Sequence, residues 1–298
     1  MERIRRNRME WNDLAPAGAP SRTRLLDGGV ALVEQMCFTG TPGSTAAAGF
    51  SPDFRVAFPY RGLLVWHVGR DDVVCDPNQV LFVTAGESYG MREPLPGGYG
   101  DLIITPELGV LTEIANAAEA RLAAHPLFRR RSHRADPCLQ RQVARLVHWA
   151  THGSNRDGLA AEEMVLDLLR SALAAEPPRE QPSRSSARLI GRTKEFLTAE
   201  FASPIRLHQV GRAVGASPAY LTDLFRRVEG VSLHQYIVQL RLAQALVELP
   251  HAADLTALAL ELGFSSHSHF SAAFGRAFGC TPSEFRQTTR ARQRPSIS

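Results

Sequence analysis

An internal repeat near the C-terminal end restricts what this chain can fold into more than any other feature. Leu207, Val210, Gly211, Val214, Gly215 and Ser217 recur 48 residues on as Leu255, Leu258, Ala259, Leu262, Gly263 and Ser265. Apolar residues three and four apart share one helix face, and the glycine then ends the helix because positive φ costs it nothing. A second helix follows in each copy. In the first, Ser217 is an N-cap and Pro218 a first helical residue, ahead of Leu221, Leu224, Phe225 and Val228. In the second, Ser265 or Ser266 caps a helix carrying Phe270, Phe274, Ala277 and Phe278. The small residue four before each turn glycine, Gly211 or Ala259, lets two helices cross closely at a steep angle, the requirement of a helix-turn-helix. One such copy would equally suit an ordinary helical hairpin; two at a fixed offset favour DNA binding.

Between the copies, Tyr236, Ile237, Leu240, Ala243, Leu246 and Val247 fall at helical spacing, so 232–249 predicts a joining helix of about 18 residues and about 27 Å. That length suits two motifs entering successive major grooves about 34 Å apart. Residues 186–201 predict an amphipathic helix before the repeat, and Thr281, Pro282, Ser283 and Glu284 form a capping box for a last helix. The charge agrees: residues 1–184 carry 21 basic and 22 acidic side chains, whereas 185–298 carry 13 and 8, so the excess positive charge lies in the repeat-bearing part. A Pro- and Ser-rich stretch at 176–186 reads as a linker. The expected domains are therefore 1–175, the linker 176–186, a helical domain 187–290 and a tail 291–298.

These residues resemble the AraC/XylS family of bacterial transcription regulators. The signature runs from Ala259 through Leu262, Gly263, Phe264, His267 and Phe270 to Phe274, Phe278, Gly279, Thr281, Pro282, Phe285 and Arg286, and the Arg241, Leu242, Ala243 run in the joining helix is similar too. The resemblance implies seven helices with two helix-turn-helix motifs. It places base reading at Ala219, Thr222 and Asp223 in the first recognition helix and at His267, Ser268, Ser271 and Ala272 in the second. Chemistry allows each: hydroxyls donate or accept at base edges, Asp223 accepts from cytosine, the alanines meet a thymine methyl and His267 donates to a purine. Arg226, Arg227 and Arg276 are placed for phosphate. Arg206 departs from the Ser or Thr usual before the first motif, which predicts a poorer cap there.

The N-terminal part reads as strands at 30–38, 63–68, 72–76, 80–83 and 102–105, favouring a small barrel or sandwich. The segment from Cys75 to Glu87 is similar to the cupin-like sensor domains of AraC relatives. Helices are expected at 111–124, 136–151 and 159–174, to dimerise or to pack on the barrel. Trp66, His67, Tyr89 and Arg92 are the candidate effector pocket. No metal and no cofactor is expected: only His67 falls on an expected strand, and His148 with His152 lacks a third ligand. The four cysteines, Cys37, Cys75, Cys138 and Cys280, are scattered, against both a disulfide framework and a clustered zinc site. Gly86, Glu87, Ser88, Tyr89, Gly90 fits a hydrolase G-x-S-x-G pattern, but the Pro- and Gly-rich run behind it cannot supply the helix that a nucleophile elbow needs.

The fold class expected is α+β: a cupin-like β-barrel with packed helices, then an all-α domain. The function expected is a DNA-binding transcription regulator, not an enzyme, whose N-terminal domain senses a small molecule; control by a partner instead, or a cupin-like enzyme tethered to DNA, are the alternatives. Expected partners are promoter DNA, an effector, RNA polymerase if the protein is an activator, and a second copy in a homodimer. No apolar run is long enough for a membrane span and no secretory signal is visible, so the expectation is cytoplasmic. Arg3, Arg5, Arg6 and Arg8 are expected to be a tail rather than a DNA contact.

Overall fold

The computed structural model describes residues 21–38, 45–69, 71–115, 131–152, 158–174 and 182–291. Ten strands are described: β1 Ser21–Asp27, β2 Ala31–Phe38, β3 Thr45–Ser51, β4 Arg55–Arg61, β5 Leu64–Val68, β6 Asp71–Cys75, β7 Gln79–Val83, β8 Glu87–Arg92, β9 Tyr99–Pro106 and β10 Ser132–Arg134. Three helices, α1 Leu108–Ile114, α2 Pro137–His152 and α3 Gly158–Leu173, complete the N-terminal part. Seven follow: α4 Arg184–Ala199, α5 Leu207–Val214, α6 Pro218–Glu229, α7 Leu233–Glu248, α8 Leu255–Glu261, α9 His267–Phe278 and α10 Pro282–Ala291.

The protein is thus α+β, with a β-rich region followed by a helical one. Among the described residues the strands do not close into one barrel. They form two antiparallel sheets, six strands in the order β1-β2-β9-β4-β7-β10 and four in the order β3-β8-β5-β6. Met36, Ala57, Leu81, Tyr99 and Ile103 of the larger sheet meet Leu64, Trp66, Tyr89 and Met91 of the smaller. The larger sheet's other face, Val33, Val56, Phe58, Phe82, Leu102 and Ile104, packs against Leu139, Val143 and Leu146 of α2 and Val165, Leu168 and Leu169 of α3. A sheet covered on both faces loses alternation in its sequence, which is why β9 is buried at every position.

Strand β4 escaped the sequence reading because Pro59 lacks a ladder donor and argues against a central strand. The sheet absorbs it with a register shift between Pro59 and Arg61, opposite Asp101 and Gly100. Helix α4 starts at Arg184 on the Ser183 cap, two residues before the expected 186. Of the expected linker, 176–181 lie outside the described residues. So does most of the helix expected at 111–124, of which 111–115 are described; the helix there, Leu108–Ile114, begins three residues before the expected start. The arginines at 3, 5, 6 and 8 lie outside as well.

Two separate cores hold the helical region. Ile190, Leu197, Val210, Val214, Leu221, Leu224, Phe225 and Tyr236 form the first, around α4 to α7. Leu246, Leu258, Leu262, Phe264, Phe270, Phe274, Phe278 and Phe285 form the second, around α7 to α10. A Cβ on Gly211 would lie 2.7 Å from the Ala216 carbonyl oxygen, so the small residue is required for the crossing of α5 and α6. The turn glycines both have positive φ, 72° at Gly215 and 83° at Gly263. Helix α7 has 16 residues on the Ser232 cap, or about 24 Å.

Candidate nucleic-acid interface

The two recognition helices start from matched caps. Ser217 Oγ accepts from the Tyr220 amide at 3.3 Å, and Ser266 Oγ from the His269 amide at 3.1 Å. Each helix buries one face, Leu221, Leu224 and Phe225 in α6 and Phe270, Ala273, Phe274 and Phe278 in α9. That burial points the opposite rows outward. Ala219, Asp223, Ser268 and Ala272 are exposed, and Thr222, His267 and Ser271 are half-buried.

Several of these side chains have partners of their own. Thr222 Oγ1 donates to the carbonyls of Pro218 and Ala219, at 3.0 and 2.9 Å. Ser271 Oγ lies 3.3 Å from His267 Nε2. Asp223 pairs with Arg227 one turn on, at 3.2 Å; an exposed pair of this spacing is worth about 0.3–0.5 kcal/mol and is easily exchanged. Arg226, Arg227 and Arg276 are exposed, and all lie in the last turns of their helices. Tyr220, 49% exposed on the first turn of α6, also faces outward, and no sequence signal set it apart.

Arg241 on α7 straps the second motif to the loop after α4. Its Nε donates to the Phe201 carbonyl at 2.7 Å and its Nη1 to Gly263 at 2.6 Å, and its guanidinium lies 5.8 Å from the Phe264 ring centroid. At the start of α5, where Arg206 offers no acceptor, the Gln209 side chain accepts from the Arg206 amide at 2.7 Å. The closing capping box forms in both directions between Thr281 and Glu284, whose carboxyl is held below its ordinary value by those bonds.

The sheet region grips both motifs. Asn78 Nδ2 donates to the Tyr236 carbonyl at 3.1 Å, Tyr236 Oη donates to Asp76 at 2.6 Å, and Gln79 Nε2 donates to Glu229 at 3.2 Å. Arg92 pairs with Glu195 of α4 at 3.2 Å, and Arg134 bonds Gln239. Toward the second motif, Arg141 of α2 donates to the Phe278 carbonyl, and His148 Nε2 lies 2.8 Å from that of Thr289. His148 is therefore buried against α10. Helix α2 packs on the large sheet and on the helical region at once.

The four candidate effector residues are not brought together. Trp66 and Tyr89 stack with ring centroids 4.7 Å apart, beside a cavity of about 20 Å³ that Arg55 and Asp101 also line. Burial raises the Asp101 carboxyl to about 7. His67 instead pairs with Asp72 at 2.6 Å on a partly exposed edge, and Arg92 faces α4. A larger cavity, about 290 Å³, lies where the two regions meet. Tyr60 and Arg61 of β4, Gln140, Val143 and Val147 of α2, and Leu246 and Val247 of α7 line it. Gln140 Nε2 donates to Pro77 and Asn78, while its Oε1 has no partner.

Among the described residues no cluster of three or more His, Cys, Asp or Glu is placed to hold a metal ion, and no helix is long and apolar enough to cross a membrane. Ser88 is exposed in β8, with no elbow around it.

Comparison with known proteins agrees with this geometry. Residues 210–288 match the family model described as a helix-turn-helix domain. The chain is 30% identical over 124 residues to the Msm operon regulatory protein of Streptococcus mutans, covering 40% of this chain and 44% of that one. It is 26% identical over 248 residues to the virulence regulon transcriptional activator VirF of Yersinia enterocolitica, covering 76% and 87%. An AraC-type regulator structure from Chromobacterium violaceum is 27% identical over 36% of this chain and 96% of that one, with a TM-score of 0.34. The chain spans about half the length of the Msm protein and of the transcriptional activator RhaR of Klebsiella pneumoniae, 44% and 54%. What the repeat and the two recognition helices define is a DNA-binding helix-turn-helix region. That region is similar to those of known transcription regulators, among them an AraC-type one.

Proposed function

We propose that this protein is a sequence-specific transcription regulator that binds promoter DNA through two recognition helices and senses a small molecule through its two-sheet region. One observation carries the reading: α6 and α9 each bury one face in a separate core and turn the other outward, in a region that matches a helix-turn-helix family. Ala219, Thr222, Asp223, His267, Ser268, Ser271 and Ala272 are assigned to bases, and Arg226, Arg227 and Arg276 to phosphates. The domain division at 1–175, 176–186, 187–290 and 291–298 belongs to the same proposal, as does a cupin-like ancestry for the sheets. The strand, turn and strand of β6 and β7, to which the sequence from Cys75 to Glu87 contributes, support that ancestry.

For the effector, the cavity beside Trp66 and Tyr89 has room for about one water. The junction cavity of about 290 Å³ is the better site. Its lining is mostly apolar, with Tyr60, Arg61 and Gln140, beside Gln35, His148 and His251, as the polar groups that would orient a ligand. A molecule there touches β4, α2 and α7 together, so it shifts whichever arrangement of the two regions it binds better. RNA polymerase contact and a homodimer complete the proposal.

The test is selection of the full chain against random duplex DNA, repeated with His267→Ala and Ser271→Ala. A discrete motif that relaxes at separate positions in the two variants supports the reading. Enrichment of no motif would sink it.

A further inference from the structure

Lys194 is the one lysine in a chain with 34 basic side chains, and it is buried. Its Nζ lies 2.7 Å from Glu229 Oε1, with side chains 8% and 7% exposed, and 5.9 Å from the Tyr236 ring centroid. Tyr236 Oη donates to Asp76 at 2.6 Å. Four pieces of chain meet here: the turn between β6 and β7, helix α4, the last residue of α6, and the first turn of α7.

Two carboxylates, Asp76 and Glu229, face this one ammonium. Arg134 of β10 is the next cation, drawn toward Glu229 and Tyr236 but committed to Gln239. Cys75, next to Asp76 in the chain, is buried with its thiol pushed up, and Asn78 donates its backbone N–H to Asp76 at 2.8 Å. Lys194 bonds Glu229 and Arg134 is drawn to Glu229 as well, so both cations favour that carboxylate and Asp76 is the less compensated of the two. Burying an ionised carboxylate so placed is costly.

We propose that Asp76, Lys194, Glu229 and Tyr236 form a proton-operated clamp that fixes the first helix-turn-helix against the sheet region and tightens when Asp76 takes up a proton. Burial raises the Asp76 carboxyl to about 6, against the opposing pulls of Lys194, the Tyr236 hydroxyl and the Asn78 amide. In an opened clamp the same carboxyl is solvated and titrates near its ordinary value of 3.8. The closed state therefore holds the proton more tightly. Its advantage is complete below about pH 4 and is lost as the pH rises through about 6. Among the described residues the contacts of α2 with the second motif, Arg141 to Phe278 and His148 to Thr289, include no buried carboxylate, so this carboxylate switch acts on the first motif. The clamp is a property of the fold; its effect on DNA rests on the function proposed above.

Amide hydrogen exchange on the full chain tests it, read in peptides covering 76–80 and 229–240 at about pH 5.5 and about pH 7.5 after correction for intrinsic rates. The expected result is several-fold stronger protection at the lower pH, with no comparable change across 258–278. Asp76→Asn, a neutral isostere, should keep the low-pH protection at both values. Lys194→Met should lose protection at the higher pH and regain much of it at the lower, which keeps the test valid if Asp76→Asn fails to fold. Asp101→Asn is the control, because that carboxyl also titrates in the sheet region. Identical pH profiles in wild type and Asp76→Asn would overturn the clamp. Affinity for a selected operator should change at least about threefold over the same range and flatten in Asp76→Asn. Flat wild-type affinity with the exchange profile intact would overturn the coupling to DNA alone, and failure to select any operator would count against the regulator reading alone.

Discussion

The two helix-turn-helix motifs share a pattern of apolar residues and little else. The second is built around aromatic rings: Phe274 contacts Phe270, Phe278 and Phe285, with centroids 5.7, 4.6 and 5.8 Å away. The first relies on aliphatic residues with Phe225 and Tyr236, whose rings meet edge to face at 5.2 Å. Their turns differ too. A Cβ on Gly215 meets nothing within 4 Å, whereas one on Gly263 would lie 2.5 Å from the Ala202 carbonyl oxygen. The sheet region holds the first motif through buried charges and the second through bonds to main-chain carbonyls. A repeated pattern therefore specifies a repeated shape, while the surroundings of each copy decide how firmly it is held and by what chemistry.

That contrast can be broken at several points. The largest effect is expected from Phe274→Ala, which opens a cavity among three rings and should cost about 3–5 kcal/mol in urea unfolding. A cost near 1 kcal/mol would mean the second core can collapse around the loss. Next comes the pair of turn glycines: Gly263→Ala should cost about 3 kcal/mol from strain and collision, but Gly215→Ala only about 1 from its positive φ. Equal costs would remove the distinction between the turns. Replacing His267 or Ser271 with alanine should cost about 1–3 kcal/mol per lost base contact at one operator position. Footprints unchanged by either would put base reading elsewhere on α9. Arg141→Met removes a charge-assisted bond to the second motif and should cost about 1 kcal/mol, with exchange rising in α9 and not in α6. Finally, Arg276→Ala should lower the salt slope of DNA binding by about 1 for all sequences alike.

The helical region was legible because its signals are local. Caps at Ser217, Ser232 and Thr281 and the spacing of Leu221, Leu224 and Phe225 all act within a turn or two. The sheets were less so. Strands β1, β3, β4, β8 and β10 were missed: β4 contains a proline, and β8, Glu87–Arg92, carries two charges and a glycine. The four effector candidates are not all brought together for a plainer reason. Trp66 and His67 are neighbours in sequence, and in a strand neighbours face opposite ways, one into the sandwich and one out. Nor could local patterns reveal that Asp76 meets Tyr236, 160 residues away. One feature of the sequence does coincide with that meeting point: Lys194 is the single lysine among arginines.

That same lysine gives the molecule one side-chain amine, placed where reagent reaches it only when the sheet region and the first motif separate. Acylation of Lys194 by an amine-selective ester under native conditions thus counts openings of a single joint. The chain carries its own tracer for the motion between its two halves, with no engineered label required.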